Sequence, residues 1–435
     1  MTLGVIVALI SIVLMVGLIY VGMHVGIALV VLSFVSVWIM RGNFDVASNL
    51  LALSVADSIA DYNFGVIPLF VFMGFVVSAA NYGRDLFDVT NWMFRRLKGG
   101  LGVSTVAANA GFAAITGVSI ASASVFTRIA VPEMLRFGYN PRLAVGIVAG
   151  SSVLGMLIPP SVLMILYGIL TDVSIGKMFI AGIVPGIVLA IAFAVGILVA
   201  VHLKPELIAK TEADAQDALT PGEAIIKIAP VVAMVGLVMG GIYGGYFTAT
   251  EAAGVGAGLS LVLAVSMRRL TWPAFWRLLV DSATVTSTIC FLLIAASLYS
   301  RMLAFSGVPN FFASWIANSG FGFYTVLLIF IAALLVLGAI LDSTSIMLIT
   351  VPIMFPILMN FGADPIWIGI VIIVAVEIGI ITPPVGIAAF VVHDTLGRKD
   401  IALSDVFMGV FPFVLVMTFV LALLVIFPQI SLMLL

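Results

Sequence analysis

The sequence predicts an all-α polytopic membrane protein made of two inverted-topology repeats, each holding a re-entrant helical hairpin and a broken helix. Three observations predict it. Hydrophobic residues make up 63% of the 435 positions and charged residues 9%, against roughly 25% charged in an ordinary soluble domain. A pair of short motifs recurs in the same order in both halves. The cationic residues that report sidedness change places between the halves.

The apolar content comes in runs. A helix needs about 20 apolar residues to cross a bilayer, and Gly4 to Met40, Met178 to Val201, Ala283 to Tyr299 and Val406 to Phe427 meet or approach that length. The first run reads as membrane segments rather than a secretory leader, because it has no basic region before it, is too long and lacks a small-residue cleavage site. The single cysteine, Cys290, lies inside an apolar run, which leaves neither a disulfide framework nor a thiolate metal cluster. His24, His202 and His393 are far apart and in no metal-ligand spacing. A formal charge of −2 gives no basis for binding nucleic acid.

A polar stretch, Lys204 to Glu223, carries Glu206, Glu212, Asp214, Asp217 and Glu223 against Lys204 and Lys210, and divides the chain. It reads as a cytoplasmic linker at 204–223 between a first repeat, 1–203, and a second, 224–435. Val131-Pro132-Glu133-Met134 is echoed by Val351-Pro352-Ile353-Met354, and Leu154-Gly155-Met156-Leu157-Ile158-Pro159-Pro160 by Ile378-Gly379-Ile380-Ile381-Thr382-Pro383-Pro384. These place hairpins at about 101–138 and 323–360 and broken helices at about 141–170 and 365–392. Anchored on the Val-Pro pairs, Ser122 stands opposite Asp342 and Ser124 opposite Thr344, with a small length difference before the second motif.

Cytoplasmic loops carry the Lys/Arg excess. Arg95, Arg96 and Lys98 precede the first hairpin, whereas the equivalent Gly307 to Tyr324 is uncharged; the second half instead carries Arg268, Arg269 and Arg277 where the first has Arg41. Inverted repeats give this pattern. The linker, Arg136 to Arg142 and Arg398-Lys399 fall on the cytoplasmic side, with both termini outside. Asn43 to Tyr62 and Leu270 to Asp281 have the composition of amphipathic arms lying in the interface.

Carriers built from repeats bind their cargo where helices break near the bilayer midplane, since only there is backbone free to bind ions. Four breaks are visible. Thr116 to Ser124, rich in glycine and small hydroxyls, reads as a hairpin tip, its serines serving either a ligand or close helix packing. Gly155 to Ser161 contains a double proline that removes two backbone donors and frees carbonyls for a hard cation, or else makes a kink. Gly379 to Pro384 repeats it. Leu341 to Ser345 is the second tip, where Asp342 is a cation ligand, a helix cap, or both. Glu377, also in an apolar run, is a weaker candidate, and Glu133 and Glu251 look structural, Glu251 closing a helix start after Thr248. Helix N-termini at the breaks favour an anionic ligand over a cation. Arg128 either adds a full charge or snorkels to the surface.

The sequence resembles the large membrane subunit of tripartite ATP-independent periplasmic (TRAP) transporters, within the ion-transporter superfamily. The resemblance covers nearly the whole chain and rests on Ser119-Ile120-Ala121-Ser122-Ala123-Ser124, Gly150 to Ser161 followed by Tyr167-Gly168, Ser174 to Phe179 with Ala181-Gly182 and Pro185-Gly186, and Ile381 to Gly386. It implies an elevator-type carrier in the bacterial inner membrane, driven by sodium, with two or more ions per cycle. It also implies a small four-helix membrane partner and a soluble periplasmic protein that delivers a carboxylate such as a C4-dicarboxylate or sialic acid. Carried over by motif, one sodium site takes Ser119, Ser122 and Ser124 with Gly155 and Pro159; the other takes Asp342, Thr344, Gly379 and Thr382. The substrate falls to Ser122, Ser124, Arg128, Ser161, Ser345 and Pro384.

Three rivals are weighed against this. A self-sufficient sodium/anion symporter of the same superfamily differs only in needing no delivery protein. An intramembrane hydrolase finds no Gly-x-Gly-Asp stretch, His-Glu-x-x-His motif or nucleophile elbow, and no enzyme activity is expected. A channel requires a continuous polar lining, whereas the polar residues here concentrate in the breaks.

Overall fold

The computed structural model describes residues 2–209 and 219–435; the linker positions 210–218, with Lys210, Glu212, Asp214 and Asp217, lie outside the described residues. The first half runs α1 (Leu3–Tyr20), α2 (Val25–Arg41), α3 (Phe44–Ala60), α4 (Val66–Ala79), α5 (Tyr82–Phe94), α6 (Gly100–Thr116), α7 (Ser119–Arg136), α8 (Pro141–Ser152), the single turn α9 (Leu154–Leu157), α10 (Val162–Thr171) and α11 (Ile175–Leu203). The second runs α12 (Pro221–Tyr243), α13 (Ala249–Ser266), α14 (Trp272–Ser306), α15 (Val308–Ser319), α16 (Phe323–Gly338), α17 (Ser343–Met359), α18 (Pro365–Ile380), α19 (Ile387–Leu396), α20 (Leu403–Ile426) and α21 (Gln429–Leu432).

Short polar side chains begin many of these helices by accepting from otherwise unpaired backbone amides. Asn140 accepts from Arg142 N at 2.9 Å, and Asp364 from Ile366 N and Trp367 N, each at 2.9 Å. Thr248 and Glu251 close a reciprocal capping box at the start of α13, as the sequence led one to expect. Eight helical stretches among the described residues are long and apolar enough to cross a bilayer. Outward-facing Val13, Val195, Val232, Leu328 and Phe419 give the surface an apolar coat, which suits lipid rather than water.

One constant separation along the chain carries α2 onto α13, α7 onto α17, α8 onto α18, α10 onto α19 and α11 onto α20. It pairs Ser119 with Ser343, Pro132 with Pro356, Asn140-Pro141 with Asp364-Pro365, Gly155 with Gly379 and Pro159-Pro160 with Pro383-Pro384. This corrects the register taken from the Val-Pro pairs. Ser122 stands opposite Ile346 and Ser124 opposite Leu348, Asp342 corresponds to Val118, and no length difference intervenes. The Val-Pro register fails because α17 contains two prolines, Pro352 and Pro356, and the one that matches the Val-Pro motif is not the counterpart of Pro132.

The two proposed arms differ. Asn43 to Tyr62 forms the separate helix α3, which ends where Asp61 turns to accept from Asn63 N at 2.8 Å. Leu270 to Asp281 leads without interruption into the 35-residue α14. The residues corresponding to the break, Val285 to Ile289, contain no glycine or proline, and the hydroxyls of Thr284 and Thr288 donate back to carbonyls one turn earlier. The second arm is therefore the first turns of a long helix.

Packing crosses between the halves. Helix α4 lies on α13 and α2 on α14; α5 lies on α12 and α1 on α15; α10 lies on α17 and α7 on α19; α8 lies on α20 and α11 on α18. The tightest crossing is that of Gly146 in α8 with Gly409 in α20, where a Cβ on either residue would collide with the other's helix backbone. Small residues let membrane helices approach this closely.

The segments that their charges assign to the cytoplasm meet at one end. Asn140 N donates to Leu207 O and Ala209 N to Gly138 O, each at 2.8 Å, and Arg142 Nε donates to Asp405 at 2.7 Å. Beside them Asp85, only 7% exposed, pairs with Arg269, whose guanidinium also lies 5.0 Å from the Tyr82 ring centre. Lys227 approaches Asp85 at 3.9 Å while pairing with Asp88.

Removing one partner of a largely buried ion pair strands the other charge at a cost of about 3 kcal/mol or more. Asp85→Asn is therefore expected to lower the thermal unfolding midpoint in nanodiscs by several degrees, and Asp88→Asn, which is more exposed, by less; equal shifts would refute the assignment. Gly409→Ala is likewise expected to destabilise far more than Gly196→Ala, whose added methyl meets only Val416 at 3.6 Å.

Candidate functional site

The first hairpin turns at a point where only a very small residue fits. Helix α6 ends at Gly117, whose φ of 65° is left-handed and whose Cβ, if present, would lie 2.6 Å from Pro160 O. The Gly117 carbonyl accepts from Val162 N at 3.2 Å, tying the tip to the start of α10 just beyond Pro159-Pro160. Gly155 presses against the same tip, its position for a Cβ being 2.9 Å from Ser119 N. The second half makes a comparable contact through residues that are not the direct counterparts of these. Gly338 closes on Gly379, where a Cβ would come within 2.5 Å of the facing Cα, and Ala339 O accepts from Val385 N at 3.0 Å. Each tip thus seats on the broken helix of its own half.

The two assemblies meet at one side chain. Ser119, the first residue of α7, donates its hydroxyl to Glu377 Oε2 at 2.7 Å. Ser343, the first residue of α17, donates to Glu377 Oε1 at 2.9 Å. Glu377 is 1% exposed, and none of the described ion pairs includes it. Both hairpin tips and the second broken helix therefore converge on one buried carboxylate, and the first broken helix reaches it through Gly155 against Ser119.

The residues assigned to the first cation site come together at the first tip. Ser119 and Gly155 touch; Ser122 is fully buried with a hydroxyl that has no hydrogen-bond partner. Pro159 has no N–H to give the Gly155 carbonyl its usual partner one turn earlier. A buried unpaired hydroxyl is costly, and both the orphaned Ser122 Oγ and the freed Gly155 carbonyl are neutral oxygens of the kind that a hard cation takes. Pro160 and Ser161 are buried at the same junction. Ser161, however, is spent as the cap of α10, donating to Met156 O.

At the second tip Asp342 caps α17, accepting from Ser345 N at 3.1 Å and from the Ser345 hydroxyl. Thr344 is half-buried and Thr382 donates to Ile378 O at 2.6 Å. Gly379 belongs to the junction itself, with a carbonyl that accepts from Thr382 N at 2.9 Å. This side is open. Pro383, Pro384 and Val385 are exposed and Ile340 is 47% exposed, whereas Pro159 and Pro160 are buried.

Ser124 and Arg128 share one face of α7, four residues apart, with Ser124 half-buried and Arg128 exposed. Arg128 lies nine residues past Ser119, about 13 Å along the helix, and so is not drawn into the junction. Glu377, only a weaker candidate from the sequence, stands at the centre of the junction, and its partner Ser343 is the residue that the sequence reading does not pick out. The signal was present in the constant separation between the halves, which makes Ser343 the counterpart of Ser119.

A family model described as the tripartite ATP-independent periplasmic transporter, DctM component, matches residues 12–430. The C4-dicarboxylate TRAP transporter large permease protein DctM of Pseudomonas aeruginosa is 33% identical over 386 residues, covering 88% of this chain and 88% of that one. The sialic acid TRAP transporter large permease protein SiaM of Vibrio cholerae is 28% identical over 419 residues, covering 96% of each. Among solved structures, the Alcanivorax borkumensis YdaH transporter shares the fold, with a TM-score of 0.60 at 16% identity over 84% of this chain and 86% of that one. A chain of many apolar helices matched along almost its entire length in this way belongs to the DctM component family of the tripartite ATP-independent periplasmic transporters, multi-pass proteins of the inner membrane.

Proposed function

We propose that this chain is the permease subunit of a sodium-coupled secondary transporter that imports a small organic acid handed over by a soluble periplasmic binding protein. The observation that carries the reading is the convergence of two hairpin tips and two broken helices on a single buried point. Such a junction offers carbonyls and hydroxyls to a cation and the positive ends of half-helices to a carboxylate. Ser119, Ser122 and Ser124 with Gly155 and Pro159 would hold one sodium ion, and Asp342, Thr344, Gly379 and Thr382 a second. Bound sodium would supply the positive charge that lets a carboxylate enter beside Asp342 and Glu377. The exposed second break, with Ser345 and Pro384 nearby, is where the substrate would enter.

The substrate class follows relatives whose names give C4-dicarboxylate, sialic acid and 2,3-diketo-L-gulonate as cargo. All are carboxylates, matching a site of helix N-termini. Helices α6–α11 and α16–α20 enclose the junction, while α1–α4 with α12–α14 pack around one another at its side. This division supports an elevator, in which the first group moves against the second as two inverted repeats working as one unit. A small four-helix membrane subunit would cover part of the stationary group's apolar flank.

Proteoliposomes holding this chain with its small subunit and binding protein are expected to take up a radiolabelled organic acid only under an inward sodium gradient. Uptake that needs sodium but not the binding protein would instead establish the self-sufficient symporter, and uptake indifferent to sodium would sink both. Ser122→Ala is expected to raise the half-saturating sodium concentration about tenfold, the loss of one ligating hydroxyl, with little change in thermal stability.

A further inference from the structure

We infer that Glu377 is a positioning residue that fixes both hairpin tips at once, so that the two cation half-sites are held in one geometry and fill together. The inference rests on the sodium-coupled reading for its consequence, though not for its geometry.

The geometry is that of a group on a pseudo-two-fold axis. Ser119 and Ser343 are counterparts in the two halves, each the first residue of its inner hairpin helix, and each donates to a different oxygen of the same carboxylate, at 2.7 and 2.9 Å. A group on such an axis needs to occur only once. The position corresponding to Glu377 is Val153, fully buried at the end of α8. A second glutamate there would bring two carboxylates to one point, where like charges in a low dielectric repel strongly.

The hydrogen-bond direction matters as much as the contact. A carboxylate can only accept, so both serine protons are turned towards Glu377. The oxygen lone pairs are then left for the two sides where the candidate cation sites lie. Groups that orient a ligand in this way are as consequential for affinity as the ligands themselves. Because one side chain orients both serines, displacement of either tip pulls on the acceptor used by the other. Bonds of this kind are also strong, since the acceptor is buried and out of reach of water.

The test uses the complete complex in nanodiscs and proteoliposomes, comparing Glu377→Ala with Glu377→Gln. A glutamine keeps both ties, because a serine hydroxyl can accept from its amide N–H while the other donates to its carbonyl. For Glu377→Ala we expect faster amide hydrogen exchange in residues 116–122 and 339–346 together. We also expect a half-saturating sodium concentration raised about tenfold and a Hill coefficient for sodium falling towards one. Glu377→Gln should restore protection of both tips, while the half-site whose serine now accepts from the amide N–H keeps a weakened sodium affinity. If Glu377→Ala does not assemble, Ser343→Ala takes its place and should loosen the first tip, in the other half of the chain, as well as its own. Wild-type exchange at the distant tip in that variant, or an unchanged Hill coefficient in Glu377→Ala, would overturn the inference. Uptake by the wild type that ignores sodium would remove the sodium-coupled reading, while the exchange measurement would still judge the tie.

Discussion

Backbone amides and carbonyls in a bilayer have no water to turn to, and each one left unpaired costs several kcal/mol. A chain that needs free backbone at membrane depth must therefore enclose it in protein or turn it to a water-filled cavity. Here the enclosure is made by seating each hairpin tip on the broken helix of its own half, Gly117 on Val162 and Ala339 on Val385, and by closing both assemblies over Glu377. The glycines at the contacts follow from the same constraint, since backbone can satisfy backbone only where no Cβ stands between. Gly155 against Ser119 and Gly338 against Gly379 leave no room for one.

The halves share a plan but not a chemistry. The first tip carries an orphaned hydroxyl at Ser122 where the second has Ile346, and the second carries Asp342 where the first has Val118. The first double proline is buried and the second exposed. Two junctions with a shared plan and different side chains have room to differ in access, which a carrier that must bind on one side and release on the other can exploit.

Much of the fold was legible in the sequence because a membrane imposes length and hydropathy on every span, and because double prolines and glycine-rich tips interrupt helices wherever they occur. Membrane residence, the breaks and the family all follow from those features. Register did not follow. A Val-Pro pair inside a helix is a weak anchor when the helix contains Pro352 and Pro356 one turn apart, whereas the caps at Asn140 and Asp364 fix helix starts unambiguously. Asp342 drew attention as a charge in an apolar run, yet its carboxylate is engaged by Ser345. Glu377 looked less well placed because its partners lie 258 and 34 residues away along the chain, and only the folded packing brings them to it. The long α14 was hidden for the opposite reason, since its polar first turns resemble an independent arm until the absence of any breaker after Asp281 is weighed.

The crossed packing of α2 with α14, α4 with α13 and α7 with α19 has a bearing on how the chain is made. Helices leave the ribosome in order, so the first half enters the membrane well before the surfaces it will bury against exist. Until α13 and α14 arrive, α2 and α4 must wait among lipids with their packing faces uncovered, and Gly146 has no Gly409 to meet. Completion is therefore a late, concerted event that depends on the last third of the chain. A product that stops at the linker would be inserted but unassembled, presenting to the membrane quality-control proteases a half that cannot finish itself.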